Sequence, residues 1–247
     1  MIVPVHRQIL VAAALAGVLA AGGVAQPPEP AAAAGGYILE LHRQGDFVRQ
    51  TNLVQCVGAS MQMMINVMAP RNDRTAATQH RLWRLARALG PRRPSGSRGK
   101  GASPIGWARG LDKLGYGPYL AVGFPTLAAA TKAAARAIRV TGKPVGVLVW
   151  AGRHAWVMTG FRATADPLTT NDFRVSQVTV MDPLYPLVST TWGRSQPPGT
   201  RLSLARFARS FVPRRPFLRP SALDGTFVMV LPVFSFVPWT RDRALAV

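Results

Sequence analysis

The sequence is short of cysteine, because Cys56 is the only one among 247 residues. A single cysteine excludes an internal disulfide and leaves no cysteine cluster for a structural zinc site. The sequence also lacks an internal repeat of fixed period, which sets aside solenoid and propeller folds. Two explanations remain open for a lone thiol: free cysteine is often a small buried apolar residue, or it is a nucleophile.

Acidic residues are also scarce. Ten Asp and Glu stand against 30 Lys and Arg, which gives a formal net charge of +20. Such a charge predicts an anionic partner, and an acidic cell-wall polymer or a membrane surface would both fit. No zinc-finger spacing and no aromatic-basic pattern of an RNA-binding sheet is present, so we expect no specific nucleic-acid recognition. The arginines are dispersed, which a compositional bias would also explain. The one dense basic cluster, residues 91–101, is rich in Pro, Gly and Ser and predicts a solvated linker.

The N-terminal residues have the pattern of a secretory signal peptide. His6 and Arg7 precede an apolar stretch at residues 9–21, and small residues follow. The apolar stretch is shorter than the roughly 20 residues that span a bilayer, which favours cleavage, although a retained anchor stays open. We therefore predict a signal peptide at residues 1–25, a flexible spacer at 26–36 and one folded domain at 37–247. The expected location is secreted or on the cell surface.

The domain shows helical patterns first and strand patterns second. After a short strand at residues 37–42, apolar residues recur at helical spacing over four segments, 53–68, 75–89, 105–114 and 126–140. From Lys143 onward, β-branched runs predict antiparallel strands at 144–150, 154–161, 175–182 and 224–232, with a helical stretch at 203–211. This order predicts an α+β fold in which an N-terminal helical half packs against a C-terminal antiparallel sheet.

Cys56 is predicted to lie where a loop becomes the first helix. The positive end of the helix dipole favours the thiolate form of a cysteine at this position. Gln50 stands six residues earlier, and its side-chain amide, together with the Cys56 backbone N–H, is a candidate oxyanion hole. The signal from Gln50 is weak by itself, since Gln55 is also near.

A nucleophilic thiol needs a base, and His154 is the best placed of the four histidines. It opens an apolar strand directly after another strand and a short turn, which would hold the ring at the end of a rigid sheet. Asp182 ends the next strand and is followed by Pro183. If these strands are antiparallel neighbours, His154 and Asp182 fall at the same edge of the sheet, and Asp182 can orient the imidazole. Each residue taken alone also fits a purely structural role.

These residues resemble a known family, the papain-like cysteine peptidases, and among them the bacteriocin-leader (double-glycine) peptidases. The resemblance spans roughly residues 47–231 and rests on three pieces: Q-x5-C-x-x-A-S from Gln50 with a methionine soon after, G-K-P-V followed by H-A-W-V-M-T-G-F, and V-M-D-P. It implies that Gln50 is the oxyanion residue, Cys56 the nucleophile, His154 the general base and Asp182 its orienting partner. The residues next to Cys56 depart from that branch, which more often has an acidic residue before the cysteine and Gly-Pro after it.

The sequence thus predicts an exported thiol hydrolase, a peptidase or amidase, that acts on a peptide or protein substrate through a Cys-His-Asp triad and an acyl-enzyme. No metal and no cofactor is expected, because the single Cys and the scattered His form no cluster with ligand spacing. The alternative is a catalytically silent papain-fold module that binds anionic cell-surface polymers. Transfer of the acyl group to an amine is a further option that the residues leave open.

Overall fold

The computed structural model describes residues 36–69, 71–91, 100–216, 220–234 and 245–246. All of them belong to one compact unit, Ala33–Val247. The predicted signal peptide lies outside the described residues. So do all but the last residue of the predicted spacer and residues 92–99 of the predicted linker.

The described chain contains both helices and strands, in an order that mixes the two. In chain order they are β1 (Tyr37–Glu40), α1 (Cys56–Met68), α2 (Ala76–Ala88), α3 (Pro104–Lys113), β2 (Tyr119–Phe124), α4 (Leu127–Thr141), β3 (Val145–Val149), β4 (His154–Ala163), β5 (Val175–Met181), β6 (Val188–Ser189), β7 (Gly193–Arg194), β8 (Thr200–Ser203), α5 (Leu204–Phe207), β9 (Phe227–Pro232) and β10 (Leu245–Ala246).

Side-chain caps fix where three of the long helices begin. The hydroxyls of Thr75, Ser103 and Thr126 accept hydrogen bonds from backbone N–H groups three residues later, at the starts of α2, α3 and α4. Such caps satisfy N–H groups that have no partner within the helix. α4 ends at Gly142, whose φ of 63° is the left-handed conformation that glycine adopts without steric cost. The helix positions predicted from the sequence are confirmed to within a few residues.

The strands form one large antiparallel sheet. Seven strands follow the order β10-β2-β9-β3-β4-β5-β8, and β1 pairs with the far half of β4. β6 and β7 form a separate two-stranded ribbon. The predicted pairing of the strand at 154–161 with the strand at 175–182 is confirmed, because β4 and β5 are antiparallel neighbours with Val157 opposite Met181. The start of β4 and the end of β5 therefore lie at the same edge.

Helices cover both faces of the sheet. Alternate residues of β9 point to opposite sides: Val228 and Val230 belong to a core that includes α1 and α3, whereas Met229 and Leu231 belong to a core with α4 and α5. The chain is thus an α+β fold in three layers. The predicted division into a helical half and a sheet half is wrong in its detail, since α4 lies across the sheet from α1–α3.

Three sequence-based expectations need correction. The strand β2 was missed, because its residues YLAVGF are apolar on both faces and show no alternation. The expected helical stretch at 203–211 shortens to the four residues of α5. The helical spacing of apolar residues over 53–68 predicts one buried face. Instead, α1 is buried almost all round because it packs against α2, α3 and the sheet.

Among the described residues, no helix combines the length and the apolar character needed to cross a lipid bilayer.

α1 and α2 approach each other closely at Gly58. A Cβ at Gly58 would lie 2.6 Å from the Gln79 carbonyl oxygen and 2.9 Å from the Trp83 Cβ, so Gly58→Ala forces the two helices apart. We expect the free energy of unfolding, measured by urea denaturation, to fall by about 1–3 kcal/mol relative to the control.

Gly110→Ala is the matched control, because it also adds a methyl group within a helix. The new Cβ at Gly110 would lie 2.7 Å from the Cε of Met61, the far end of a flexible side chain that can turn away. The gain in helix propensity is similar in both variants. Equal stability of the two variants would contradict the predicted close approach of α1 and α2.

Candidate active site

Cys56 is the first residue of α1, and its side chain is half-buried. The residue before it, Gln55, makes no side-chain cap, and the first turn carries no acidic residue. The loop that leads to Cys56 is tied to its surroundings by two hydrogen bonds, from the Gln50 N–H to the Pro183 carbonyl oxygen at 2.8 Å and from the Thr51 N–H to the Gln79 Oε1 at 2.7 Å. The thiol therefore sits on a fixed helix start, with the positive end of the helix dipole at its base.

His154 opens β4 after a strained reversal of the chain. Trp150 and Ala151 have φ values of 56° and 55°, and Gly152 follows with 89°. Left-handed backbone at a non-glycine residue costs on the order of 1–3 kcal/mol and persists only where the surroundings fix it. Hydrogen bonds from Trp150 N–H to the Ser210 carbonyl and from Arg153 N–H to the Val149 carbonyl supply that support. The turn sets the direction in which the imidazole enters the site.

Asp182 directly follows β5 and meets His154 across the sheet edge. The His154 Nε2 and the Asp182 Oδ1 are 2.8 Å apart, and both side chains are buried. The carboxylate is held on its other side as well, since Oδ1 accepts from the Leu184 N–H and Oδ2 accepts from the Gln196 N–H. Asp182 is thus fixed by backbone donors and points at one nitrogen of the imidazole.

Cys56 is the second partner of His154. Since Nε2 is taken by Asp182, Nδ1 is the ring nitrogen left for the hydrogen bond to Cys56. Burial of the ring by itself lowers the pKa of His154. The hydrogen bonds to Asp182 and Cys56 and the negative charges of these groups outweigh burial and raise the pKa of His154 from 6.5 to about 9. The site therefore favours an imidazolium at neutral pH.

Aromatic rings cover the imidazole. The Trp150 ring stacks on the His154 ring with centroids 4.3 Å apart, and the Trp192 ring lies parallel to Trp150 at 6.2 Å. The stack fixes the plane of the imidazole and shields it from water. Sequence reasoning missed Trp150 and Trp192, because these contacts depend on the left-handed turn and on the ribbon of β6 and β7, for which the sequence has no strong signal.

Gln50 is buried beside the site but does not line the pocket at Cys56. Its Nε2 donates to the Asn52 carbonyl at 2.8 Å, which leaves one N–H of the amide for another acceptor, and its Oε1 has no partner among the described residues. The neighbouring Gln55 is occupied on both sides, by Thr51 and by His80. The oxyanion role of Gln50 stays a prediction.

The other two histidines of the described chain lie elsewhere. His80 is exposed on α2, where it contacts Gln55 and the Trp83 ring. His42 packs near Gly199. Neither lines the pocket that contains Cys56 and His154.

A pocket of about 360 Å³ opens at Cys56 and His154. One part of its wall is apolar and is formed by Leu53, Val54, Val57, Ala102 and Pro104. Another part is basic and is formed by Lys100, Arg153, Arg214 and Arg215. The sequence showed an excess of arginine but gave no sign that four basic residues from three separate segments meet beside the thiol.

In the described part of the chain, no three His, Cys, Asp or Glu side chains lie close enough together to hold a metal ion.

A scan against protein-family models found no match, and a search of curated proteins found no significant match. The function is therefore inferred from the geometry of the site.

The raised pKa of His154 makes the stability of the protein depend on pH. A group whose pKa is higher in the folded than in the unfolded state stabilises the fold fully below the unfolded pKa, and this stabilisation is lost as the pH rises through the folded pKa. We therefore expect the difference in free energy of unfolding between wild type and His154→Gln to shrink from pH 6.5 to about 9.

The same titration can be followed at the ring itself by the NMR shift of the His154 imidazole. We expect a midpoint near 9 in the wild type and a lower midpoint in Cys56→Ala, which loses one of the two groups that raise the pKa. A midpoint at the ordinary value of 6.5 in both proteins would contradict the arrangement of Cys56, His154 and Asp182.

Proposed function

We propose that the protein is a thiol hydrolase, a peptidase or amidase, that attacks an acyl group with Cys56 and passes through an acyl-enzyme. The observation that carries the proposal is the position of His154, which hydrogen-bonds Asp182 through Nε2 and Cys56 on its other side. A half-buried thiol at a helix start, a base within reach and a buried acceptor behind the base are what nucleophilic catalysis by cysteine needs.

The first half of the reaction follows from this geometry. The proton of the Cys56 thiol resides on His154, which is an imidazolium at neutral pH. The thiolate sulfur attacks the substrate carbonyl carbon to form a tetrahedral intermediate. The imidazolium then gives its proton to the leaving amine, and the C–N bond breaks to leave a thioester on Cys56. Asp182 keeps the ring in place and stabilises its positive charge throughout.

Hydrolysis of the thioester completes the cycle. A water molecule gives a proton to the His154 imidazole while its oxygen attacks the thioester carbonyl. The sulfur leaves as the thiolate, which restores the pair of thiolate and imidazolium. The negative oxygen of both tetrahedral intermediates needs hydrogen-bond donors. The Cys56 backbone N–H at the start of α1 supplies one in this mechanism, and the remaining N–H of the Gln50 amide is the candidate for the second.

The papain-like architecture is part of the same proposal. Its support is a nucleophile at the start of a central helix that packs on an antiparallel sheet, with the base and its partner on two neighbouring strands. The substrate would be a peptide or protein, and export through the N-terminal segment would place the reaction outside the cytoplasm.

A second candidate is a papain-fold module without chemistry that holds to anionic cell-surface polymers. The net charge of +20 favours it, and so does α2, whose exposed side carries Arg81, Arg84 and Arg87, the last stacked over the Trp83 ring at 4.9 Å. Such a surface suits an anionic polymer. This alternative does not explain why His154 and Asp182 form a buried hydrogen-bonded pair.

Acylation by a neutral active ester distinguishes the two. We expect p-nitrophenyl acetate to release p-nitrophenol in a burst and to leave an acetyl group on Cys56, which intact-protein mass spectrometry detects. His154→Ala should slow acylation by about 10²- to 10⁴-fold, because the thiol loses its base.

His42→Ala is the control, since it removes a histidine that does not line the pocket. It should acylate at the wild-type rate, and Cys56→Ala should carry no acetyl group at this position. A wild type that reacts no faster than His154→Ala would contradict the hydrolase and favour the binding module.

A further inference from the structure

Four basic residues line the pocket that contains Cys56 and His154. Lys100, Arg153 and Arg215 are exposed at its rim, and Arg214 is half-buried. None of the described Asp and Glu residues lines this pocket. A group bound next to the thiol therefore meets positive charge in a pocket to which the described residues contribute no carboxylate.

Two residues of the basic wall, Arg214 and Arg215, are anchored to the site by backbone hydrogen bonds. The Arg215 N–H donates to the Ala151 carbonyl at 3.1 Å, and the Arg214 N–H donates to the Thr226 carbonyl at 2.8 Å. The Arg214 side chain also lies on Gly152, where an added Cβ would come within 2.7 Å of its Cγ. The arginine pair is thus docked on the turn that sets the position of His154.

The charges on this wall are not equivalent. Arg214 forms an ion pair with Asp224, so its charge is largely balanced within the protein. No ion pair between described residues involves Arg215 or Lys100. The net positive charge of the pocket therefore lies at the exposed rim, where an incoming ligand passes.

We propose that the substrate carries a carboxylate close to the acyl group that Cys56 attacks, and that Arg215, Arg153 and Lys100 bind this carboxylate. In a peptide such a group is an acidic side chain or a C-terminal carboxylate. The planar guanidinium presents two parallel N–H donors that match the two oxygens of a carboxylate. The apolar wall at Leu53, Val54 and Pro104 takes the uncharged part of the substrate. This assignment of the substrate class rests on the proposed function.

Two alkylating reagents of nearly equal size test the proposal. Iodoacetate and iodoacetamide both transfer a two-carbon group to the Cys56 sulfur with loss of iodide, and they differ in carrying a carboxylate or an amide. Cys56 is the only cysteine, so the rate of its modification is read directly by mass spectrometry. The quantity compared between variants is the ratio of the iodoacetate rate to the iodoacetamide rate.

We expect Arg215→Gln to lower this ratio about three- to tenfold at low ionic strength, and added salt to shrink the difference. Arg215→Lys should keep most of the ratio, because it keeps the charge. Arg162→Gln is the matched control: it removes the same charge from an exposed residue at the other end of β4, about 26 Å along the strand from His154. Its ratio should equal that of the wild type.

Equal ratios in Arg215→Gln and Arg162→Gln would overturn the proposal. The preference for iodoacetate would then come from the net charge of the whole protein and not from Arg215. The result does not depend on catalysis, because both reagents alkylate any accessible thiol. Loss of the carboxylate preference and loss of acylation by the neutral ester are therefore separate findings, and either proposal can fail alone.

Discussion

The hydrogen bond between His154 and Asp182 is the interaction on which the rest of the site depends. Both side chains are buried, and burial of an uncompensated charge is costly, so the pair persists only with its partners in place. The antiparallel pairing of β4 with β5 brings the two residues to one edge, and backbone N–H groups hold the carboxylate. Because Asp182 binds Nε2 and so fixes the imidazole ring, the direction of Nδ1 is also fixed. Cys56, at the start of α1, is the partner on that side of the ring.

The chain has few carboxylates, and most of those in ion pairs are bound to arginine rather than to histidine. Ion pairs with arginine occupy Asp46, Asp166 and Asp224, and Asp182 is reserved for His154. Many arginines of the described ranges consequently face solvent without an ion pair to a described carboxylate. The positive field of the protein and the basic rim of the pocket have this common origin, and both favour anionic partners.

The sequence was informative wherever local chemistry decides the structure. The helical spacing of apolar residues predicted the long helices, and the apolar runs around His154 and Asp182 predicted two adjacent strands. It was silent where the structure depends on contacts between distant segments. β2 has no alternation because both of its faces are covered, and the left-handed turn at Trp150 and Ala151 is held by Ser210, some sixty residues away in sequence. The hydrogen bond between Arg215 and Ala151 of that turn likewise joins segments that are distant in sequence. The catalytic roles of Cys56, His154, Asp182 and Gln50 remain predictions that chemistry must test.

Activation of Cys56 by His154 can be measured as the rate of Cys56 alkylation by iodoacetamide at a series of pH values, in the wild type and in His154→Ala. We expect rapid alkylation near neutral pH in the wild type and a rate at least about tenfold lower in the variant, because only a thiolate is nucleophilic and the imidazolium stabilises it. A slow thiol with the same pH dependence in both proteins would contradict activation by His154.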